Sequence, residues 1–242
     1  VVGAGFLASE RGTPVRLSFA VMPGEASEWD GGDATVFNET GPALTPGEWE
    51  ALTASAVNFL TEEGKAGERP VLTVSGSMPP DTEPETLSSL ISRASACAPV
   101  LVDTPGPALL ASVRAGASLV KCNIHELTAA TGTDSLMGGL AALFDAGATR
   151  ALITLGPDGM VLASPTSTLR AWLPERVEGN PTGAGDAAMA AIAASWFDDD
   201  EAALRRSVAV SAASILKPTA GDVDPADADR LAASVQFGQS IA

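Results

Sequence analysis

Between Val71 and Thr154 the chain alternates short apolar runs with longer stretches of helical spacing, and this alternation limits the fold more than any other feature. The runs are Val71–Ser75, Val100–Asp103, Ser118–Lys121 and Ala151–Thr154. The helical stretches are Glu83–Ala96 (with Leu87, Leu90 and Ile91 in register), Pro107–Val113, Glu126–Thr131 and Leu136–Phe144. A βαβα order predicts an α/β fold, three αβα layers around a mainly parallel sheet. Gly159–Ala163 and Thr168–Trp172 follow, separated by Ser-Pro-Thr-Ser, and read as a hairpin at one edge. Beyond Asp186 the spacing is helical almost to the end, over Ala187–Phe197, Glu201–Leu216 and Ala226–Val235, with a break at 217–221.

The first part of the chain differs. Val15–Val21 and Ala34–Asn38 read as short strands joined by the polar, Gly-rich stretch Pro23–Asp33. Thr45–Leu60 reads as a helix. Thr45 suits its N-cap, Pro46 the first helical position and Glu48 the return partner of a capping box.

With 242 residues the chain is long enough for one sizeable α/β domain. Its 14 basic against 30 acidic side chains give a net charge of −16, which argues against nucleic acid or an anionic membrane as partner. A phosphate ligand would have to be held by local features instead: helix N-termini, a few placed cations and Mg²⁺. No apolar run approaches the ~20 residues that span a bilayer, and no basic-then-apolar leader opens the chain. Cys97 and Cys122 make no disulfide framework and read as thiols in a reducing cytoplasm.

The densest chemical signal is Asn180-Pro181-Thr182-Gly183-Ala184-Gly185-Asp186, followed by an Ala-rich helical run. A Gly-Ala-Gly turn that opens a helix aims unpaired N–H groups and the positive dipole end at one spot, and no Cβ blocks a ligand there. That spot suits a phosphate. Asp186 in the first turn would sit beside it, and a carboxylate so placed is suited to take the proton of an alcohol that attacks phosphorus.

This string resembles the C-terminal signature of the ribokinase-like (PfkB-type) carbohydrate kinases, and four further segments fall where that family places function. Ser75-Gly76-Ser77-Met78-Pro79-Pro80 ends a strand and resembles the Ser-Gly-Ser-Leu-Pro-Pro of the phosphosugar branch, which includes 1-phosphofructokinase and tagatose-6-phosphate kinase. The resemblance implies that Ser75, Gly76 and Ser77 bind the sugar or its phosphate; a plain strand-to-helix turn is the alternative. Lys121-Cys122-Asn123-Ile124-His125-Glu126-Leu127 resembles Lys-Pro-Asn-x-x-Glu-Leu. It implies that Asn123 and Glu126 help hold Mg²⁺, largely through water, and that Lys121 lies near the nucleotide phosphates. A helix cap with a first-turn acid is the alternative for that pair. His125, the single histidine, reads as a loop side chain. Thr154-Leu155-Gly156-Pro157-Asp158-Gly159 resembles the Ser-Leu-Gly-x-x-Gly nucleotide loop, which implies that Thr154, Gly156 and Gly159, with Thr182, lie along ATP. The segment 212–221 matches in position the helix end and loop that cover adenine.

Arg16 and Asn38 lie on the two early strands, which the family folds as a lid over the sugar. Arg16 is a candidate sugar-phosphate contact or equally a solvated strand residue. Asp103 matches a strand-end Asp that supports the site. The exposed edges of lid strands favour pairing of two subunits as a homodimer. Val1–Ala8 also contains Gly-x-Gly-x-x-Ala after a strand-like start, but Gly12 and Pro14 interrupt the helix that a dinucleotide site needs.

The expectation is a single PfkB-type kinase domain over 1–242, with lid strands around 15–39. The resemblance covers most of 34–235. The family's N-terminal block, with its sugar-binding Asp and Gly-Gly-Lys-Gly-type loop, is absent, so the chain reads as a fragment, as one with segments left out, or as a site shortened in nature. The implied activity is cytoplasmic, ATP- and Mg²⁺-dependent phosphorylation of a hexose phosphate, with Asp186 as base and Gly183, Ala184 and Gly185 as anion hole. Two alternatives stay open: a kinase of an unphosphorylated sugar or nucleoside, and a non-catalytic sugar-phosphate or nucleotide sensor on the same fold.

Overall fold

The computed structural model describes residues 18–21, 35–38 and 41–238. Strands β1 (Ser18–Val21) and β2 (Thr35–Asn38) pair antiparallel, Ser18 opposite Asn38 and Val21 opposite Thr35, in a two-stranded sheet of their own. These are the two early strands expected from the sequence.

The main sheet has seven strands in chain order: β3 (Leu72–Ser75), β4 (Val100–Asp103), β5 (Leu119–Asn123), β6 (Ala151–Thr154), β7 (Met160–Ser164), β8 (Ser167–Trp172) and β9 (Gln236–Gly238). Neighbours from β3 to β6 are parallel, and the pairs from β6 to β9 are antiparallel. Strand β8 therefore runs in the same direction as β3–β6, and only β7 and β9 oppose them. The expected mostly parallel α/β sheet with an antiparallel edge is what the chain forms.

The helices are α1 (Pro46–Lys65), α2 (Pro84–Ser95), α3 (Pro107–Arg114), α4 (Ile124–Thr131), α5 (Leu136–Asp145), α6 (Ala184–Ala194), α7 (Asp200–Ile215) and α8 (Pro225–Ala232). Strand side chains alternate between faces, and the core divides accordingly. Val100, Val102, Val120 and Ile153 join Leu87, Ile91, Leu109, Leu127 and Leu143 from α2–α5. Leu101, Leu119 and Leu152 join Met189, Ile192, Leu204 and Val208 from α6 and α7. Each such fully buried aliphatic side chain contributes ~1.5–3 kcal/mol of transfer free energy, so both faces of the sheet are committed and the layers are fixed. Helix α1 starts as its sequence dictates: the Thr45 hydroxyl accepts from the Glu48 N–H, the Glu48 carboxylate accepts from the Thr45 N–H at 2.8 Å, and Pro46 opens the helix.

Three expectations need correction. Helix α6 begins at Ala184, three residues before the apolar run suggests, because Gly183 is its N-cap in a left-handed conformation (φ 84°) and releases the chain into the helix at once. It ends at Ala194, short of Phe197. The helical tail stops at Ala232 and gives way to β9, whose three residues are too few to carry a period and are held by pairing with β8.

Ligands of open α/β sheets bind beyond the carboxyl ends of the strands. Here those ends present Ser75–Ser77 after β3, Asp103 after β4, Asn123 after β5 and the Leu155–Gly159 turn after β6. The amino end of α6 joins them.

Candidate active site

The turn into α6 is built for close approach. A Cβ on Gly183 would lie 2.7 Å from the Gly221 nitrogen, so the turn packs against the 217–221 loop with no room for a side chain. Asn180 shapes the same turn: its side-chain oxygen accepts from the Thr182 N–H, and its Nδ2 donates to the Pro218 carbonyl at 3.0 Å. The Ala184 N–H is already spent on the Pro181 carbonyl at 3.1 Å. Those of Gly183, Gly185 and Asp186 make no hydrogen bond among the described residues. Of the three residues expected as an anion hole, Gly183 and Gly185 keep N–H groups without a partner among the described residues and Ala184 does not. Asp186 itself is exposed on the first turn of α6.

Behind the turn lies a buried ion pair. Lys121, 6% exposed in the middle of β5, donates from Nζ to Asp103 Oδ2 at 2.6 Å across the β4–β5 junction. The same Nζ sits 2.7 Å from where a Cβ of Gly185 would be, so the glycine is what admits the ammonium against the turn. Burial pushes the Asp103 carboxyl above the ordinary carboxylate range; Lys121 opposes this, and the carboxylates of Glu126 and Asp186 add to it. The Asp103 carboxyl thus feels two further carboxylates beside a single buried cation. Such an arrangement favours a further cation.

Asn123 and Glu126 form a reciprocal capping box on α4. The Asn123 side chain accepts from the Glu126 N–H at 2.9 Å, and Glu126 Oε2 accepts from the Asn123 N–H at 2.8 Å. The cap reading of this pair is realised, and it fixes both side chains at the strand end. No group of three His, Cys, Asp or Glu side chains among the described residues is close enough to cage a metal ion. Oxygen donors in ones and twos fit Mg²⁺ held through water and phosphate oxygens, not an all-protein cage. His125 is exposed in the first turn of α4, not in a loop.

The nucleotide-loop candidates do converge. Thr154, Gly156 and Gly159 line a cavity of about 480 Å³ together with Gly185 of the turn and Ser211 and Ala212 of α7. Gly159 (φ 91°) is pinned against β8, where a Cβ would fall 2.1 Å from the Ala171 carbonyl oxygen. Thr182 lies within the turn, and neither it nor Lys121, Asn123, Glu126 or Asp186 is among the cavity's lining residues. The cavity's outer wall is the strap after β8, including Glu175, Arg176 and Glu178, which sequence spacing gave no reason to select. Ser75, Gly76 and Ser77 are exposed at the carboxyl end of β3, tied to the neighbouring strand by the Gly76 N–H donating to the Asp103 carbonyl. Arg16 lies outside the described residues, and Asn38 ends β2.

The family model for pfkB family carbohydrate kinases matches residues 32–227. The chain belongs to that family. It is 27% identical over 201 residues to 1-phosphofructokinase of Escherichia coli K12, covering 80% of this chain and 62% of that protein. It is 32% identical over 178 residues to 1-phosphofructokinase of Xanthomonas campestris, covering 68% and 56%. The chain thus spans less than two thirds of the length of these relatives. Among solved structures, phosphofructokinase-2 from E. coli in complex with potassium superposes with a TM-score of 0.72 at 25% identity, over 84% of this chain and 66% of that one. A possible 1-phosphofructokinase from Thermotoga maritima gives 0.77 at 14% identity over 93% and 71%, a likeness of fold.

Proposed function

We propose that this pfkB-family chain performs ATP-dependent phosphorylation of a hexose phosphate on a sugar hydroxyl. The observation that carries the reading is the convergence of the Thr154–Gly159 loop, Gly185 and α7 on one cavity, with a free N–H donor at Gly185 and an exposed Asp186 next in the chain. A cavity of this size, partly apolar and lined by glycine turns, suits a nucleotide.

In this reading the triphosphate runs along Thr154, Gly156 and Thr182 toward the turn, and the 212–221 segment covers the base. The N–H groups of Gly185 and Asp186 face the transferring phosphoryl group, where a preorganised donor is worth ~2.7–4 kcal/mol. Asp186 orients the acceptor hydroxyl and takes its proton. Asn123 and Glu126 would hold Mg²⁺ through water, and the ion would neutralise charge on the phosphates. Ser75, Gly76 and Ser77 take the acceptor's polar groups, joined by Arg16 and Asn38 from the early strands. That β1 and β2 pair only with each other among the described residues supports a lid, and a homodimer made by pairing such lids. Among the described residues no helix is long and apolar enough to cross a membrane, which agrees with a cytoplasmic enzyme.

The names of the relatives favour fructose 1-phosphate as acceptor, with fructose 6-phosphate and tagatose 6-phosphate as the other members of the class. The test is ADP release from Mg·ATP by the full-length gene product, over these three phosphosugars, free hexoses and ribose. Turnover confined to phosphosugars is expected. Turnover with free sugars alone would transfer the enzyme to the unphosphorylated-sugar class. Sugar-phosphate binding without turnover on any acceptor would make it a sensor.

A further inference from the structure

Ser211 of α7 donates its hydroxyl to the Ala184 carbonyl at 2.9 Å. That carbonyl belongs to the same peptide unit as the Gly185 N–H, a donor with no partner among the described residues. The peptide unit is planar, so a bond that fixes its oxygen also fixes the direction of its N–H. A hydrogen bond accepted at the oxygen also polarises the N–H and strengthens what it donates. Ser211 is 8% exposed and lies on a helix whose neighbours Ala209, Ala212 and Ala213 are buried, so its hydroxyl is carried by a fixed element. From the other side, Lys121 Nζ presses on Gly185 through the space a side chain would fill.

We propose that Ser211 is a positioning residue: through the Ala184 carbonyl it holds and polarises the peptide that presents the Gly185 N–H to the transferring phosphate. The inference rests on the kinase reading for its effect on rate, but not for its effect on the peptide itself. A donor fixed in advance matters most where charge develops, so its loss falls on kcat and not on nucleotide binding.

The experiment compares wild type, Ser211→Ala and Ser211→Thr as full-length proteins. Removing the hydroxyl weakens a donor without deleting it, so kcat is expected to fall about threefold to tenfold, the worth of one ordinary hydrogen bond. KM for ATP should stay within about twofold, and Ser211→Thr, which keeps the hydroxyl, should recover most of the lost kcat. The amide proton of Gly185, followed by NMR, should move upfield in Ser211→Ala and respond less to added inorganic phosphate or ADP. An unchanged kcat in Ser211→Ala with a lowered melting temperature would overturn the proposal and leave Ser211 a packing residue. If wild type turns over no acceptor, the kinase reading fails. The Gly185 amide then decides alone: an identical shift in wild type and Ser211→Ala overturns the proposal, and an upfield move supports it.

Discussion

Replacing Gly185 with alanine separates what the glycine does for the site from what it does for the fold. The residue lies in the first turn of α6 and its φ is not in the left-handed region, so alanine can adopt the backbone. In a helix alanine gains about 1 kcal/mol over glycine. Against that gain stands the Lys121 ammonium, 2.7 Å from the new Cβ, with Cε at 3.7 Å. Reaching an ordinary contact of ~3.5 Å requires a retreat of roughly 0.8 Å. The ammonium is buried and held by Asp103 at 2.6 Å, so the retreat strains the side chain and lengthens the pair. Full rupture of a buried pair costs about 3–5 kcal/mol, and a partial shift costs part of that. The net expectation is a loss of about 0–2 kcal/mol, a melting temperature lowered by no more than ~8 °C for a chain of this size. Activity should suffer far more, because the methyl group and the ammonium it displaces disturb the turn that carries the free N–H donors. A fall in kcat of about 10²-fold is expected, the cost of one lost anion-hole donor. Thermal melting and ADP release on the same preparation supply both numbers. Wild-type turnover in Gly185→Ala would refute the placement of the phosphoryl group at this turn. Collapse of the fold would show that Gly185 serves packing instead.

Asp186→Asn should lower kcat by about 10²–10⁴-fold with little change in stability, since the side chain is exposed and leaves only its small helix-dipole contribution; kinetics and melting together check this. Lys121→Met alone should destabilise the protein, because it strands the buried Asp103, whereas Lys121→Met with Asp103→Leu should recover most of the loss in urea unfolding without restoring activity. Cys97 is exposed and Cys122 is 1% exposed, with burial pushing the Cys122 thiol up to about 12. A thiol reagent at pH 8 should therefore titrate one cysteine in the native chain and two after unfolding. Because the folded chain holds the Cys122 proton more tightly than the unfolded chain does, its contribution to stability is full below about pH 9 and is lost as pH rises toward about 12. Cys122→Ala should flatten that alkaline decline in urea unfolding measured across pH.

The parts of this molecule legible in the sequence are those set by local pattern. The strands Val100–Asp103 and Ala151–Thr154 fall where their apolar runs do, because buried parallel strands carry little besides such residues. The Thr45 cap and the Asn180–Asp186 turn were readable because short side chains and glycines there have specific backbone tasks. What spacing could not show is what the sheet brings together. Asp103 and Lys121 are eighteen positions apart and meet only because β4 and β5 are parallel neighbours in a register that sets Leu101 beside Leu119 and Val102 beside Val120. Ser211 looks like any serine in an Ala-rich helix until α7 packs on α6 and its hydroxyl finds the Ala184 carbonyl. The short β9 was missed for the same reason, since pairing with β8 and not any period of its own holds it in place.

The most direct test of the account is a ³¹P NMR record of ATP, Mg²⁺ and fructose 1-phosphate incubated with the full-length protein, repeated with Asp186→Asn. Phosphoryl transfer with Asp186 as base gives a second phosphate monoester resonance on the sugar, growing in step with ADP and nearly absent in the variant. Inorganic phosphate in place of the second monoester, or equal product from both proteins, would contradict it.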